Sequence, residues 1–194
     1  MNHKTKGGHC FIWPEYEGKR GAAEIGTCLL EFLKFLPGTA EEVLLYCDNC
    51  AGQNKNSIVA GILTYAVQTI PTLKIFKLTF LEPGHTQMDV DSMHAMIEDA
   101  MKRQRIFAYT EWLPLIRKAR KRQDYIEEYA EVPLKPTPAG STQPQPLYDS
   151  QIPISDAKKN DLISLVRSGA IPPNYRLFYE NIKSCQPGRQ NSIF

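Results

Sequence analysis

Two hydrophobic periods alternate along the first two thirds of the chain. Short β-branched, aliphatic and aromatic runs at 10–13, 43–48 and 74–81 have the composition of strands. Between the first two, Ile25, Leu29, Phe32, Leu33 and Leu36 recur at helical spacing, and Ile58, Ile62, Leu63, Ala66 and Val67 do so between the second and third. Proline and glycine punctuate the pattern: Pro14 stops the first strand, Pro37-Gly38 the first helix, Pro71 the second helix, and Pro83-Gly84 the third strand. From Asp89 or Asp91 a third helix is predicted to carry Met93, Met96, Ile97 and Ala100 toward the core. Trp112, Leu115, Ile116 and Ala119 outline a fourth. Strands alternating with helices over short connections predict parallel pairing through right-handed crossovers, hence an α/β sandwich with 43–48 as a buried strand.

The pattern changes past Val132. Pro133, Pro136, Pro138, Pro144 and Pro146, set among Ser, Thr and Gln, cannot bury enough apolar surface to fold alone. The expected organisation is a domain over 1–131, a Pro-rich linker over 132–154 and an irregular C-terminal segment over 155–194 that docks back on the domain. Within that segment 156–167 reads as a helix carrying Leu162, Ile163, Leu165 and Val166, with Gly169 at its end.

Composition narrows the function classes. With 23 basic and 21 acidic residues and a formal charge of +2, global charge gives no argument for nucleic-acid binding, so any such argument must be local. The five cysteines are odd in number and irregularly spaced, as expected of free thiols in a reducing compartment. No apolar run approaches the roughly 20 residues that cross a bilayer, and the N-terminus has no signal-peptide core. The expectation is a soluble intracellular protein, nuclear or cytoplasmic, with no membrane partner; the oligomeric state is left open.

The chemistry concentrates in two stretches. The run 43–48 ends in Asp48 and breaks into Asn-Cys-Ala-Gly-Gln-Asn-Lys-Asn at 49–56. In open α/β sheets ligands bind outside the carboxyl ends of strands, so Asp48 is placed where an acid can act. The competing reading is that Asp48 and Asn49 open a turn and cap the next helix. The second stretch, Gly-His-Thr-Gln-Met-Asp-Val-Asp-Ser-Met-His-Ala-Met-Ile-Glu at 84–98, places Asp91, His94 and Glu98 on one helical stripe, which would otherwise be an ordinary solvated face. Carboxylates converging from a strand end and a helix are the minimal protein contribution to a Mg2+ or Mn2+ site for phosphoryl transfer. Cys47 and Cys50 with His85 and His94 form a rival zinc set, and Cys47-Asp-Asn-Cys50 a rival redox pair; both are disfavoured by strand alternation and by the spacer. His85 is either a hydrogen-bond partner near the acids or a structural histidine.

Taken together, the two stretches resemble an uncharacterised family of transposon-derived animal proteins, over a span from about Gly7 into the C-terminal Phe-Tyr segment. That family in turn resembles the ribonuclease-H-like DDE transposases and integrases, whose catalytic acids lie on the first strand, after the fourth strand and on a later helix. The resemblance implies a ribonuclease-H-like three-layer sandwich in which 10–13, 43–48 and 74–81 are the third, fourth and fifth strands. Asp48 then corresponds to the second acid. The third is Glu98 or Asp91, with Asp89 close by, and Asn49, His85, Asp89 and His94 are candidates to hydrogen-bond and orient those acids. The first acid has no counterpart, because its strand would precede Met1, so the expected sandwich is N-terminally truncated and a poor nuclease or transposase.

Local charge supplies the remaining candidates. Lys102, Arg103, Arg105, Arg117, Lys118, Arg120, Lys121 and Arg122 gather after the third helix and along the fourth, and Arg117, Lys118, Arg120 and Lys121 are the expected phosphate contacts. The function implied is metal-dependent nucleic-acid cleavage or strand transfer, with a non-catalytic nucleic-acid- or protein-binding remnant of a mobile element as the alternative.

Overall fold

A computed structural model describes residues 7–82, 88–102, 104–119, 126–129 and 147–186. It is a mixed α/β structure in which the described strands pair two by two. Strand β1 (His9–Ile12) is followed by helix α1 (Ala22–Lys34), strand β2 (Glu42–Cys47), helix α2 (Ser57–Thr69) and strand β3 (Ile75–Phe80). Helices α3 (Asp89–Met101) and α4 (Trp112–Lys118) come next, with a 3-10 turn at Tyr109–Glu111 between them. Strand β4 is Ile126–Tyr129. The C-terminal part holds β5 (Ile154–Ser155), α5 (Asp156–Arg167), α6 (Arg176–Asn181) and β6 (Ser184–Cys185).

The β2–α2–β3 unit is a parallel crossover, in register from Glu42 opposite Ile75 to Cys47 opposite Phe80. Its ladder continues past the strand ends, where the Leu81 amide donates to the Cys47 carbonyl at 2.9 Å. Alternation then decides which side chains are buried. Val43 is buried and Leu45 half-buried against Leu30, Leu33, Ile62, Ala66 and Leu73 from α1, α2 and the turn before β3. Leu44, Tyr46 and Ile75 remain 49%, 53% and 55% exposed on the other face. The expectation that 43–48 is buried on both faces is therefore corrected. The third helix lies elsewhere: α3 and α4 pack Met93, Ile97, Met101 and Ile116 against Cys10 and Ile12 of β1.

A second correction concerns the sheet. Strand β1 is not hydrogen-bonded to β2 or β3; its parallel partner is β4, with His9 opposite Ile126 and Ile12 opposite Tyr129. A single sheet running through 10–13, 43–48 and 74–81 is not formed by the described strands. On α3 the inward stripe is Val90, Met93, Ile97 and Met101, a three-to-four spacing that leaves Met96 39% exposed rather than in the core.

Helices α1 and α2 meet at a glycine. A Cβ on Gly26 would lie 2.2 Å from Cδ1 of Ile62, so the absence of a side chain sets how closely the two helices approach. The start of α2 is fixed by Asn56, whose Oδ1 accepts from the Val59 amide at 3.0 Å. The helix ends at Ile70, ahead of Pro71.

The C-terminal elements dock on the rest through Tyr16, Ile154, Val166, Ile171, Tyr179 and Ile182, with Phe107 and Tyr109 packed beside them. Glu111 fastens the contact: its Oε2 accepts from the Phe107 amide at 2.6 Å, and its Oε1 accepts from the Tyr175 hydroxyl. The Tyr179 hydroxyl donates to the Phe107 carbonyl. Helix α5 closes as expected at Gly169, which takes φ +79 while Ile171 donates back to the Leu165 carbonyl at 3.1 Å. The described part of the proposed linker is also engaged, since the Ile152 amide donates to the Tyr16 carbonyl at 2.7 Å.

The contact at Gly26 is testable by coupling. Ile62→Val normally costs about 0.5–1.5 kcal/mol in a core. Made on top of Gly26→Ala, it is expected to cost clearly less, because it removes the methyl that the new Cβ strikes. Urea unfolding of the two single variants and the double variant measures this, and simple additivity would mean that the helices do not touch there.

Candidate functional site at the strand ends

Asp48 stands one residue past β2, at its carboxyl end and exposed. The loop that follows is built by its own backbone. The Cys50 carbonyl accepts from the amides of Gln53, Asn54 and Lys55 at 3.2, 2.8 and 3.0 Å, so the chain winds into a tight turn before α2. The Asn54 side-chain amide donates to Oδ1 of Asp48 and orients the carboxylate. Asn56 caps α2 and also donates to the Ala51 carbonyl at 3.0 Å. Gln53 reaches out of the loop to the Arg20 carbonyl at 3.3 Å. The capping role that the sequence offered to Asp48 and Asn49 thus belongs to Asn56, and Asn54 is the missed partner of Asp48. An asparagine directly before a helical stripe is the signal that would have found the cap.

The other acids are placed differently. Asp91 Oδ2 accepts from the Met88 amide at 2.8 Å, which closes the N-terminus of α3 and offsets its dipole. Asp89 lies at the first position of the same helix. His94 and Glu98 are exposed on the stripe shared with Asp91, as their spacing predicts. Among the described residues, no group of three or more His, Cys, Asp or Glu side chains is gathered to hold a metal ion. His85 lies outside the described residues, as do Arg103, Arg120, Lys121 and Arg122. Arg117 and Lys118 are exposed in the last turn of α4, where positive charge also favours the helix C-terminus.

All five cysteines are free thiols. Burial, and then the neighbouring Asp48 carboxylate, push the Cys47 thiol pKa up. Its Sγ donates to the Thr79 carbonyl at 3.9 Å. A thiol held in its protonated form is the opposite of what a redox pair or a zinc thiolate requires.

Beside the Asp48 loop, Trp13 follows the end of β1 and the chain turns through 14–21 into α1. Glu24 organises this turn. It is 3% exposed, and its carboxylate accepts from the Lys19 amide at 2.8 Å, the Gly21 amide at 3.0 Å and the Tyr148 hydroxyl at 2.8 Å. A buried carboxylate whose oxygens meet three donors is not left unsatisfied. The Trp13 indole N–H donates to the Lys19 carbonyl at 2.9 Å, so this turn is held from both sides. Between the turn, the end of β1, α1 and the Asp48 loop lies a groove of about 550 Å3.

The described strands and helices make a mixed α/β domain. The chain belongs to the DUF7869 family, a domain of unknown function, which it matches over residues 1–133. No curated protein and no solved structure matches it. Both sequence stretches and the groove fall within the family match, whereas α5 and α6 lie beyond it. No helix among the described residues is long and apolar enough to cross a membrane.

The Glu24 node has a pH signature. Burial, followed by the bond to Glu24, pushes the Tyr148 phenol up to about 12 from its ordinary value of 10. A raised phenol pKa contributes stability that is fully present below pH 10 and is lost as pH rises toward 12. Tyr148→Phe is expected to cost about 1 kcal/mol at neutral pH, or roughly 2–4 °C in Tm. Its stability should then fall less than the parent's between pH 10 and 12, since that titration is gone. Urea unfolding on both sides of this window checks the claim, and equal losses for the two proteins would contradict it.

Proposed function

We propose that this chain is a ribonuclease-H-like domain of transposase descent, related to the enzymes of metal-dependent nucleic-acid phosphoryl transfer, that binds nucleic acid through its phosphates. One observation carries the reading: a parallel β2–α2–β3 crossover delivers Asp48 to the carboxyl edge, with Asn54 orienting its carboxylate. Exposed cations elsewhere on the domain supply the electrostatic side of the reading. Arg117 and Lys118 on α4 belong to the basic segment, which continues through Arg120 and Lys121.

Asp48 has the donor chemistry that Mg2+ or Mn2+ takes. The described acids do not otherwise fit such a centre. Asp91 spends one carboxylate oxygen on its own helix terminus, and among the described residues no group of three or more such ligands is gathered. The side chains therefore support the binding half of the reading.

Cleavage and binding assays on the same protein separate the two halves. Duplex binding through four cations should weaken about 100-fold between 50 and 200 mM salt. Replacing Arg117, Lys118, Arg120 and Lys121 with glutamine should flatten that slope by roughly three to four units on logarithmic axes. Labelled DNA in Mg2+ or Mn2+ should remain intact, and Asp48→Asn should not weaken binding. Metal-dependent cleavage abolished by Asp48→Asn would overturn the non-catalytic half, and no binding at low salt would overturn the whole.

A further inference from the structure

We infer that the groove at the end of β1 is a site for single-stranded nucleic acid, taking an unpaired base against Trp13 and Phe11 and the adjoining phosphates on Lys19 and Arg20. The inference rests on the nucleic-acid reading above and adds the form of the strand and the residues that hold it. Phe11 and Ile12 at the end of β1 and Trp13 just past it line the groove together with Ile25 of α1, while Cys10 and Ile12 also pack on α3 and α4. At about 550 Å3 the groove is in the range of ligand sites.

Its polar rim is preorganised. The Lys19 backbone is fixed at both ends, its amide donating to Glu24 and its carbonyl accepting from Trp13. The Arg20 carbonyl is held by Gln53 from the Asp48 loop. Both cationic side chains remain exposed at the rim. Among the residues that line the groove, Lys19 and Arg20 face one acid, Glu15, which is paired with Lys158 at 2.5 Å. Aromatic faces beside fixed cations are the elements of single-strand binding, because stacking needs a base that is not already stacked in a duplex, while the backbone follows the charge.

The test uses the full chain with Trp112→Phe, which leaves Trp13 as its single tryptophan. Oligothymidylate should quench Trp13 fluorescence, while a duplex of the same length should do so far more weakly. Trp13→Ala, with its fold checked by circular dichroism, should weaken oligothymidylate binding about 5- to 150-fold by anisotropy. Lys19→Gln with Arg20→Gln, both at exposed positions, should lower the salt slope by about 1.4. Oligothymidylate that binds without quenching Trp13 and is indifferent to the Lys19 and Arg20 changes would overturn the groove while sparing the wider reading. Binding of neither strand form at low salt would remove both. Equal quenching by duplex would overturn the single-strand assignment, and equal quenching by polyglutamate would reduce the groove to a general acid-binding surface.

Discussion

The edge of this domain depends on one buried carboxylate. Glu24 sits at the start of α1 with almost no exposure, and its two oxygens collect two backbone amides of the preceding turn and the hydroxyl of Tyr148. Removing any donor would leave a buried acceptor short of partners, which is costly, so the donors are held as firmly as the acid itself. The consequence reaches outward. Fixing Lys19 and Gly21 fixes the path from Trp13 to α1, and that path is one wall of the groove. Tyr148 ties in a segment far along the chain, so the C-terminal part and the groove share an anchor.

The two sequence stretches divide by physical role once the hydrogen bonds are followed. In 48–56, the polar residues do mostly local work: Asn54 orients Asp48, Asn56 starts α2, and Gln53 bridges to the turn before α1. In 88–98, Asp91 closes its own helix and Met93 and Ile97 bury against β1. A polar motif can thus be dense for structural reasons and still present one exposed acid at a strand end. Gln53, from the loop that follows Asp48, also lines the groove, so the acid and the groove share a loop.

The hydrophobic pattern made the β1–α1–β2–α2–β3–α3 order legible, because the elements have clean periods and four of the six stop at a proline or glycine. The C-terminal helix and its Gly169 end were legible for the same reason. Sheet pairing was not. Periodicity says that a strand has buried sides but not which strand lies beside it, and Ile126–Tyr129, with two glutamates at its centre, gave no strand signal. Met96 was misplaced because an apolar residue one position off the stripe looks identical in composition to one on it. At the site, Asp48 was visible as a strand-end acid. Glu24 was hidden: a lone glutamate in the first turn of a helix reads as a solvated favourable charge, and its partners Lys19 and Tyr148 lie five and 124 residues away.

The account turns on whether the Glu24-pinned turn and the 48–56 loop act together as one nucleic-acid-binding edge. Titration of isotope-labelled protein with single-stranded oligonucleotide, followed by nuclear magnetic resonance, reads this residue by residue. The account predicts coupled shifts at the Trp13 indole N–H, the Gln53 side-chain amide and the backbone amides of Lys19, Arg20 and Asn54. Shifts confined to Arg117 and Lys118 or to the elements beyond residue 147, with the Trp13 and Gln53 signals unmoved, would contradict it.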